Sequence, residues 1–134
     1  MPLFRGYFDF YDSDPKAEDV ETMLQAVVER TDSENFLLVA TDDAGVVVGF
    51  ANNCWKWSSL RGKRIVLMDD LFVDPDARGG GHADALIEAV AGVARAGGAP
   101  CLLWYTAQDN LRAQAVYNRA GGVPGDYKEY ELEL

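Results

Sequence analysis

The residues with the clearest capacity for chemistry lie together in residues 67–90, LMDDLFVDPDARGGGHADALIEAV. An apolar run that carries two adjacent carboxylates, Asp69 and Asp70, is followed by a glycine-rich turn at 78–83 and then by an Ala-rich helical pattern. A strand, a glycine turn and a helix in this order favour anion binding, because the first backbone N–H groups of a helix lack partners and its dipole is positive there. Glycines also let the backbone approach a phosphate closely. We therefore predict that this turn holds the phosphates of a nucleotide-containing cofactor.

His82 is the only histidine of the chain, and it lies within this turn. An imidazole can act as an acid or a base, which makes His82 a candidate for catalysis as well as for anion binding. Cys54 and Cys101 lie far apart without CxxC spacing, and there is no Cys/His cluster, so the sequence predicts no metal site. The two cysteines are expected to be reduced thiols of a cytoplasmic protein.

The elements that must position these groups follow from the periodicity of the apolar residues. We predict helices at residues 3–11, 16–30, 85–96 and 111–120, and strands at residues 36–40, 46–52, 65–73, 100–106 and 127–134. Residues 42–45 are expected to form a hairpin turn and residues 55–63 a loop. Because a helix crosses between strands 65–73 and 100–106, these two strands are expected to be parallel neighbours. The pattern predicts a single domain, residues 1–134, with three layers around a mixed sheet.

Charge and composition narrow the class of partner. The formal net charge of −10 argues against a nucleic-acid partner, since phosphate backbones need basic surfaces. The charge is compatible with a cationic acceptor such as an amine, although it more often serves solubility. No apolar run approaches the ~18 residues of a membrane span, and residues 1–10 lack the long apolar segment of a secretory signal. We therefore expect no membrane partner.

Two constellations occur together in the second half of the chain. One is an Arg-x-x-Gly-x-Ala turn from Arg78 to Ala83, right after a strand ending in LFV, and the other is Asn110 followed by Tyr117 in the run DNLRAQAVYNRAG. With them, residues 36–122 resemble the GCN5-related N-acetyltransferase (GNAT) superfamily, whose acetyl-CoA site carries the turn Gln/Arg-x-x-Gly-x-Gly/Ala. The turn alone is a weak signal, and the strand and the later helix make it specific. The phrase MDDLFVDPDARGGG further resembles the branch of the spermidine/spermine and thialysine acetyltransferases.

This resemblance implies an α/β fold of three layers. Its sheet is mixed and mostly antiparallel with a central parallel pair, and helices cover both faces. A GNAT domain normally begins with a strand before its first helix, and here that first strand is missing from the pattern. The resemblance also implies acetyl-CoA as co-substrate, no metal, a small-molecule amine as acceptor, and a homodimer.

The resemblance assigns cofactor binding to a defined set of residues. The CoA pyrophosphate is expected at the glycine turn, the pantetheine arm along the LFV strand, and amide groups of the cofactor at the start of the later helix. The residues are Leu71, Phe72, Val73, Arg78, Gly79, Gly80, Gly81, His82, Ala83, Asn110 and Tyr117. Each also has a structural alternative, such as a helix cap for Asn110 and a core position for Tyr117.

Tyr117 is the expected general acid, because the departing thiolate needs a proton or a hydrogen-bond donor and a phenol can supply either. Asp69 is expected to take the proton of the acceptor ammonium. Where polyamine acetyltransferases carry Glu, the shorter Asp favours a relay through water. Asp70 is assigned to substrate binding. As neighbours on a strand, the two carboxylates point to opposite faces unless a bulge intervenes, and a structural role for at least one of them is open.

The sequence thus predicts an acetyl-CoA-dependent N-acetyltransferase that acts on a primary amine of a polyamine or an amino-acid-like molecule, by direct attack in a ternary complex. One alternative is a non-catalytic acyl-CoA-binding sensor or interaction module, and another is a protein N-terminal or lysine acetyltransferase. A plain dinucleotide-binding domain is disfavoured, because strand 100–106 ends without the acidic residue that its fingerprint requires.

Overall fold

The structure, a computed structural model, describes residues 2–29 and 34–134. Its elements in chain order are α1 (Pro2–Phe10), α2 (Ala17–Val28), β1 (Asn35–Thr41), β2 (Val47–Ser58), β3 (Lys63–Val73), a 3-10 turn (Pro75–Ala77), α3 (His82–Ala96), β4 (Leu102–Trp104) and α4 (Leu111–Arg119). Residues 2–29 form helices and no strand, and the predicted end of the second helix at Arg30 lies outside the described residues. None of the helices in the described part is long and apolar enough to cross a membrane.

The four strands form one sheet in the order β1-β2-β3-β4. β1, β2 and β3 pair antiparallel, and β3 and β4 pair parallel, which confirms the predicted mixed sheet and the crossover through α3. The parallel pair lies at one end of the sheet, because residues 105–134 form no strand beyond β4.

Helices cover both faces of the sheet, as predicted. On one face, α3 packs its buried side chains, among them Leu86, Ile87 and Val90, on Val66 and Met68 of β3, and α4 adds contacts at the edge of this core. On the other face, α1 and α2 cover a smaller core built around Phe4, Phe50 and Phe72. Successive strand residues point to opposite faces, which explains how one sheet supplies both cores. Each large apolar side chain buried here contributes about 1.5–3 kcal/mol of transfer free energy.

The hairpin between β2 and β3 is longer than predicted. The expected loop at residues 55–63 is mostly strand, since β2 continues to Ser58 and β3 begins at Lys63. The Arg64 guanidinium lies 5.3 Å from the centre of the Trp55 ring, a cation–π distance, and Arg64 also pairs with Glu34. Cross-strand polar and aromatic contacts therefore stabilise this part of the β2–β3 hairpin. Its sequence lacks the alternation of apolar and polar residues from which strands are predicted.

The predicted strand at residues 127–134 is wrong. These residues form no regular structure, and side chains such as Tyr130, 90% exposed, and Leu132, 82% exposed, contact little of the protein. The alternation of apolar and acidic residues suits a strand, but a strand also needs a partner whose backbone hydrogen bonds it can complete. β4 is likewise shorter than the predicted residues 100–106.

Candidate active site

The parallel strands β3 and β4 separate soon after they meet. They pair only from Val66 to Met68 on β3, opposite Leu102 to Trp104 on β4. From Asp70 to Val73, β3 is paired with β2 on one edge and has no strand partner on the other among residues 2–29 and 34–134. An extended molecule can add to such an edge through backbone hydrogen bonds. The open edge is bounded at its end by Arg78, whose Nε donates to the Val73 carbonyl at 3.2 Å.

A cavity of about 490 Å³ lies beside this open edge. Its walls come from the end of α1, the end of β3, the glycine turn, the start of α3, and α4. Ten of the predicted site residues line it: Leu71, Phe72, Val73, Arg78, Gly79, Gly81, His82, Ala83, Asn110 and Tyr117. Gly80, Asp69 and Asp70 are not part of its lining. The structure therefore brings together residues that lie up to 46 positions apart in the sequence (Leu71 to Tyr117).

The glycine turn has the backbone of an anion site. Gly79 and Gly81 have φ of 86° and 80°, values that residues with a Cβ adopt only with strain. Gly81 precedes the first residue of α3, and no side chain within the described part of the chain caps this helix end, so its first N–H groups are available for a ligand. The His82 ring lies over Gly80, since a Cβ at Gly80 would come within 3.2 Å of His82 Nε2. The imidazole thus packs on the turn itself.

Three guanidinium groups line the same cavity, although the chain is acidic overall. They belong to Arg78, Arg112 and Arg119, and Arg119 donates to both oxygens of Asp84 at 3.0 and 3.3 Å. Arginine suits the recognition of phosphate oxygens. Arg112 and Arg119 were missed by the sequence reasoning. Their spacing of two helical turns on α4, which places them on one face with Val116, was the available signal.

β3 carries a bulge at the acidic pair. Asn52 pairs with Asp70 and Asn53 pairs with Met68, so Asp69 is an extra residue on β3. A bulge re-aims side chains out of the regular alternation, and the two carboxylates come close enough to interact. Partial burial raises the pKa of Asp69, and the negative charge of Asp70 raises it further. Asp69 nevertheless stays accessible to solvent.

Asp70 is held by two donors from other elements. The Tyr7 hydroxyl, on α1, donates to Oδ1 of Asp70, and Nδ2 of Asn52, on β2, donates to Oδ2 at 3.2 Å. Sequence reasoning missed both donors. Tyr7 lies at helical spacing in an apolar pattern, where an aromatic residue normally indicates a core position, and nothing in the sequence pairs it with a residue 63 positions away.

Three tyrosines in and beside the site, Tyr7, Tyr11 and Tyr117, have hydroxyls that stay protonated at neutral pH. Burial is the main cause that raises the pKa of Tyr7, Tyr11 and Tyr117, and the charge of Asp70 adds to the effect at Tyr7 and Tyr11. Tyr11 in turn raises the pKa of Tyr117. The Tyr117 ring is fixed edge-on against Trp104, with ring centres 5.4 Å apart. A phenol that stays protonated can donate a hydrogen bond or a proton inside the cavity.

Asn110 caps a helix, which was the structural alternative to its predicted role in cofactor binding. Its Oδ1 accepts from the backbone N–H of Ala113 at 3.2 Å and so caps α4. Asn110 also lines the cavity, so capping does not take it out of the site. No group of three or more His, Cys, Asp or Glu side chains that could hold a metal occurs within residues 2–29 and 34–134.

Known proteins are similar to this chain in sequence and in fold. The model of the acetyltransferase (GNAT) family matches residues 2–122. YhfO, an uncharacterized N-acetyltransferase of Bacillus subtilis (strain 168), is 34% identical over 120 residues, which make up 90% of this chain and 78% of YhfO. HPA3, a D-amino-acid N-acetyltransferase of Saccharomyces cerevisiae, is 29% identical over 117 residues, 87% of this chain and 73% of HPA3.

A solved structure shows the same fold. The crystal structure of a probable acetyltransferase superposes with a TM-score of 0.85 at 30% identity, covering 99% of this chain and 88% of that chain. The family match extends over most of the described residues and includes the open β3 edge, the glycine turn and α4. The chain therefore belongs to the acetyltransferase (GNAT) family.

Proposed function

We propose that this protein is an acetyl-CoA-dependent N-acetyltransferase that moves an acetyl group to a primary amine of a small molecule, by direct attack in a ternary complex. The observation that carries the proposal is one cavity that joins the unpaired edge of β3, the glycine turn before α3, and Tyr117. The acidic pair supports a cationic acceptor. The kinship with a D-amino-acid N-acetyltransferase supports an amino-acid-like acceptor beside the polyamine class.

The residues present fit acetyl-CoA, which would supply the activated acetyl group. The uncapped N–H groups of α3 and the guanidinium groups of Arg78 and Arg112 suit its phosphates. The open backbone of Leu71–Val73 suits the amides of its pantetheine arm. Asn110, at the start of α4, lies within the same lining.

Three groups of this chain would carry the chemistry. The main-chain N–H near Leu71 would stabilise the oxyanion that develops on the carbonyl. Tyr117 would hold a proton for the departing thiolate, in keeping with its raised pKa. Asp69 would accept, through water, the proton that the acceptor ammonium loses to become the attacking amine, since Asp69 lies outside the cavity lining but in contact with solvent.

The test is a thiol-release screen in which the purified protein and acetyl-CoA meet small amines, amino acids and peptides, with calorimetry of acetyl-CoA binding alongside. We expect binding and thiol release with at least one small amine. Binding without release for every acceptor would favour the sensor alternative, and release with peptides alone would favour a protein acetyltransferase. Failure to bind acetyl-CoA would contradict the whole proposal.

Two further expectations rest on family resemblance. A homodimer and the kinship with spermidine/spermine acetyltransferases both stay predictions. Sedimentation equilibrium tests the first, and the ranking of diamines within the amine screen tests the second.

A further inference from the structure

The packing of the Tyr7 ring holds its hydroxyl in position as a hydrogen-bond donor. Its ring contacts Phe50 and Phe72 in edge-on arrangements, with centres 5.5 and 5.9 Å apart, in the core beneath α1. The hydroxyl at the end of this ring points out of that core to Asp70. Because packing restricts the ring, the hydrogen bond restricts the Asp70 side chain as well.

The two carboxylates of the bulge therefore have different surroundings. Both oxygens of Asp70 accept a hydrogen bond, one from Tyr7 and one from Asn52. Asp69, in contrast, has no hydrogen bond or ion pair from a side chain of residues 2–29 or 34–134, and it is exposed to solvent. Of the pair, Asp69 is the carboxylate available to a ligand.

The adjoining cavity offers a ligand no second anion. Its only acidic lining residue within the described chain is Asp84, which is already paired with Arg119. The lining from the end of α1 and the turn after it consists of Phe10 and Tyr11, which are 54% and 53% exposed and present aromatic surface. A second ammonium on an acceptor would therefore find no unpaired carboxylate in the part of this lining that the structure describes.

We infer that Tyr7 is a positioning residue which, together with Asn52, holds Asp70 in place and leaves Asp69 as the single carboxylate for the acceptor ammonium, so that the site selects acceptors with one amine over diamines. This inference rests on the proposed function and narrows its acceptor class. The titratable groups that face Asp70 are Asp69 from β3 and Tyr7 and Tyr11 from α1.

The experiment compares kcat/KM for a diamine and for the alkylamine of the same carbon chain. In the wild-type protein the alkylamine is expected to be the better acceptor. Tyr7→Phe keeps the packed ring but frees Asp70 to meet a second ammonium, so the ratio of diamine to alkylamine should rise about two- to fivefold, the factor of one exposed charge pair. Asn52→Ala, which removes the other donor, should move the ratio in the same direction.

The matched control is Tyr130→Phe, the same change in the exposed segment after α4, which should leave the ratio unaltered. A merely structural role of Tyr7 would lower kcat/KM for both acceptors by the same factor and would overturn the inference, as would a wild-type preference for the diamine. A complete lack of thiol release with every amine would instead overturn the proposed function, and this inference with it.

A second readout needs no turnover. Carboxyl-carbon NMR titration of Asp69 should show its pKa falling in Asp70→Asn, because the neighbouring charge is removed while Tyr7 keeps a hydrogen-bond acceptor. An unchanged Asp69 titration would show that the two carboxylates do not share one site, and the inference would fail.

Discussion

The proposed cofactor side and the proposed acceptor side of this site are built in different ways. The cofactor side is mostly main chain: a strand edge, two glycines with positive φ and an uncapped helix start, all within residues 71–84. The acceptor side is mostly side chain, and its groups come from α1, β2, β3 and α4. The first depends on local backbone geometry, and the second depends on packing between distant elements.

The two sides also differ in charge. Arginines line the cavity on the cofactor side, whereas carboxylates and protonated phenols form the acceptor side. This polarity suits an anionic cofactor and a cationic acceptor that meet at the reacting carbonyl. It also implies that substitutions on the acceptor side should affect turnover, and substitutions on the cofactor side should affect affinity.

The largest expected effect tests this division at Tyr117. Tyr117→Phe removes the proton donor but keeps the ring against Trp104, so kcat should fall by about 10²–10⁴-fold, the usual contribution of a general acid. Steady-state thiol release gives kcat, and calorimetry should show a much smaller change in acetyl-CoA affinity than in kcat. If kcat stays the same, Tyr117 is not the general acid and serves only as cavity wall.

The next effect concerns Asp69 and pH. Asp69→Asn should lower kcat/KM about 10²-fold, at the low end for a general base because a water can partly replace it. In the wild type, kcat/KM should rise with pH through the raised pKa of Asp69, since the ionised form acts as base. A pH–rate profile checks this, and an acid limb that persists in the Asn variant would contradict the assignment.

The raised pKa of Asp69 also predicts how stability depends on pH, in the direction opposite to that of kcat/KM. The folded-state pKa of Asp69 is raised, so the protonated form favours the folded state and this stabilisation is lost as pH rises through that pKa. Asp69→Asn should therefore stabilise the protein slightly at neutral pH, by less than about 1 kcal/mol because the side chain keeps contact with water. Urea unfolding at neutral pH measures it, and a loss of stability would contradict the cause given for the shift.

On the cofactor side, the backbone itself can be tested at Gly81. Gly81→Ala forces a Cβ into a φ of 80°, which should cost about 1–2 kcal/mol of stability and distort the helix start. We expect acetyl-CoA affinity to fall about tenfold, equivalent to ~1.4 kcal/mol, with kcat little changed at saturation.

The control is Gly92→Ala in the interior of the same helix, where an added Cβ meets no atom within 4 Å. It should raise stability by about 0.5–1 kcal/mol and leave affinity unaltered. Equal losses of affinity in both variants would mean that the turn has no special role.

The smallest expected effect separates the two roles of Asn110. Asn110→Ser keeps an oxygen to cap α4, so stability should stay near wild type, whereas Asn110→Ala should lose about 1 kcal/mol. If Asn110 also binds the cofactor, the Ser variant should bind acetyl-CoA several-fold more weakly, the effect of one hydrogen bond. Unfolding and calorimetry of both variants decide whether Asn110 is a cap alone.

Much of the cofactor side could be predicted from the sequence. The glycine turn, the start of α3, and the position of Asn110 at the start of α4 are local features, set by helix and turn propensities within a few residues. The topology that joins β3 to β4 through α3 follows from the order of the elements. For these reasons ten predicted residues line one cavity.

The acceptor side could not be predicted in the same way. The bulge at Asp69 arises from the register between β2 and β3, and the contact of Tyr7 with Asp70 arises from the packing of α1 on the sheet. Neither leaves a local signal, because the partners are far apart in sequence. The sequence by itself thus determined the glycine turn and helix start at which we propose that a nucleotide cofactor binds, because these are local features of the backbone. Only the tertiary structure decided that Tyr7 and Asn52 hold Asp70, since that depends on contacts between distant elements.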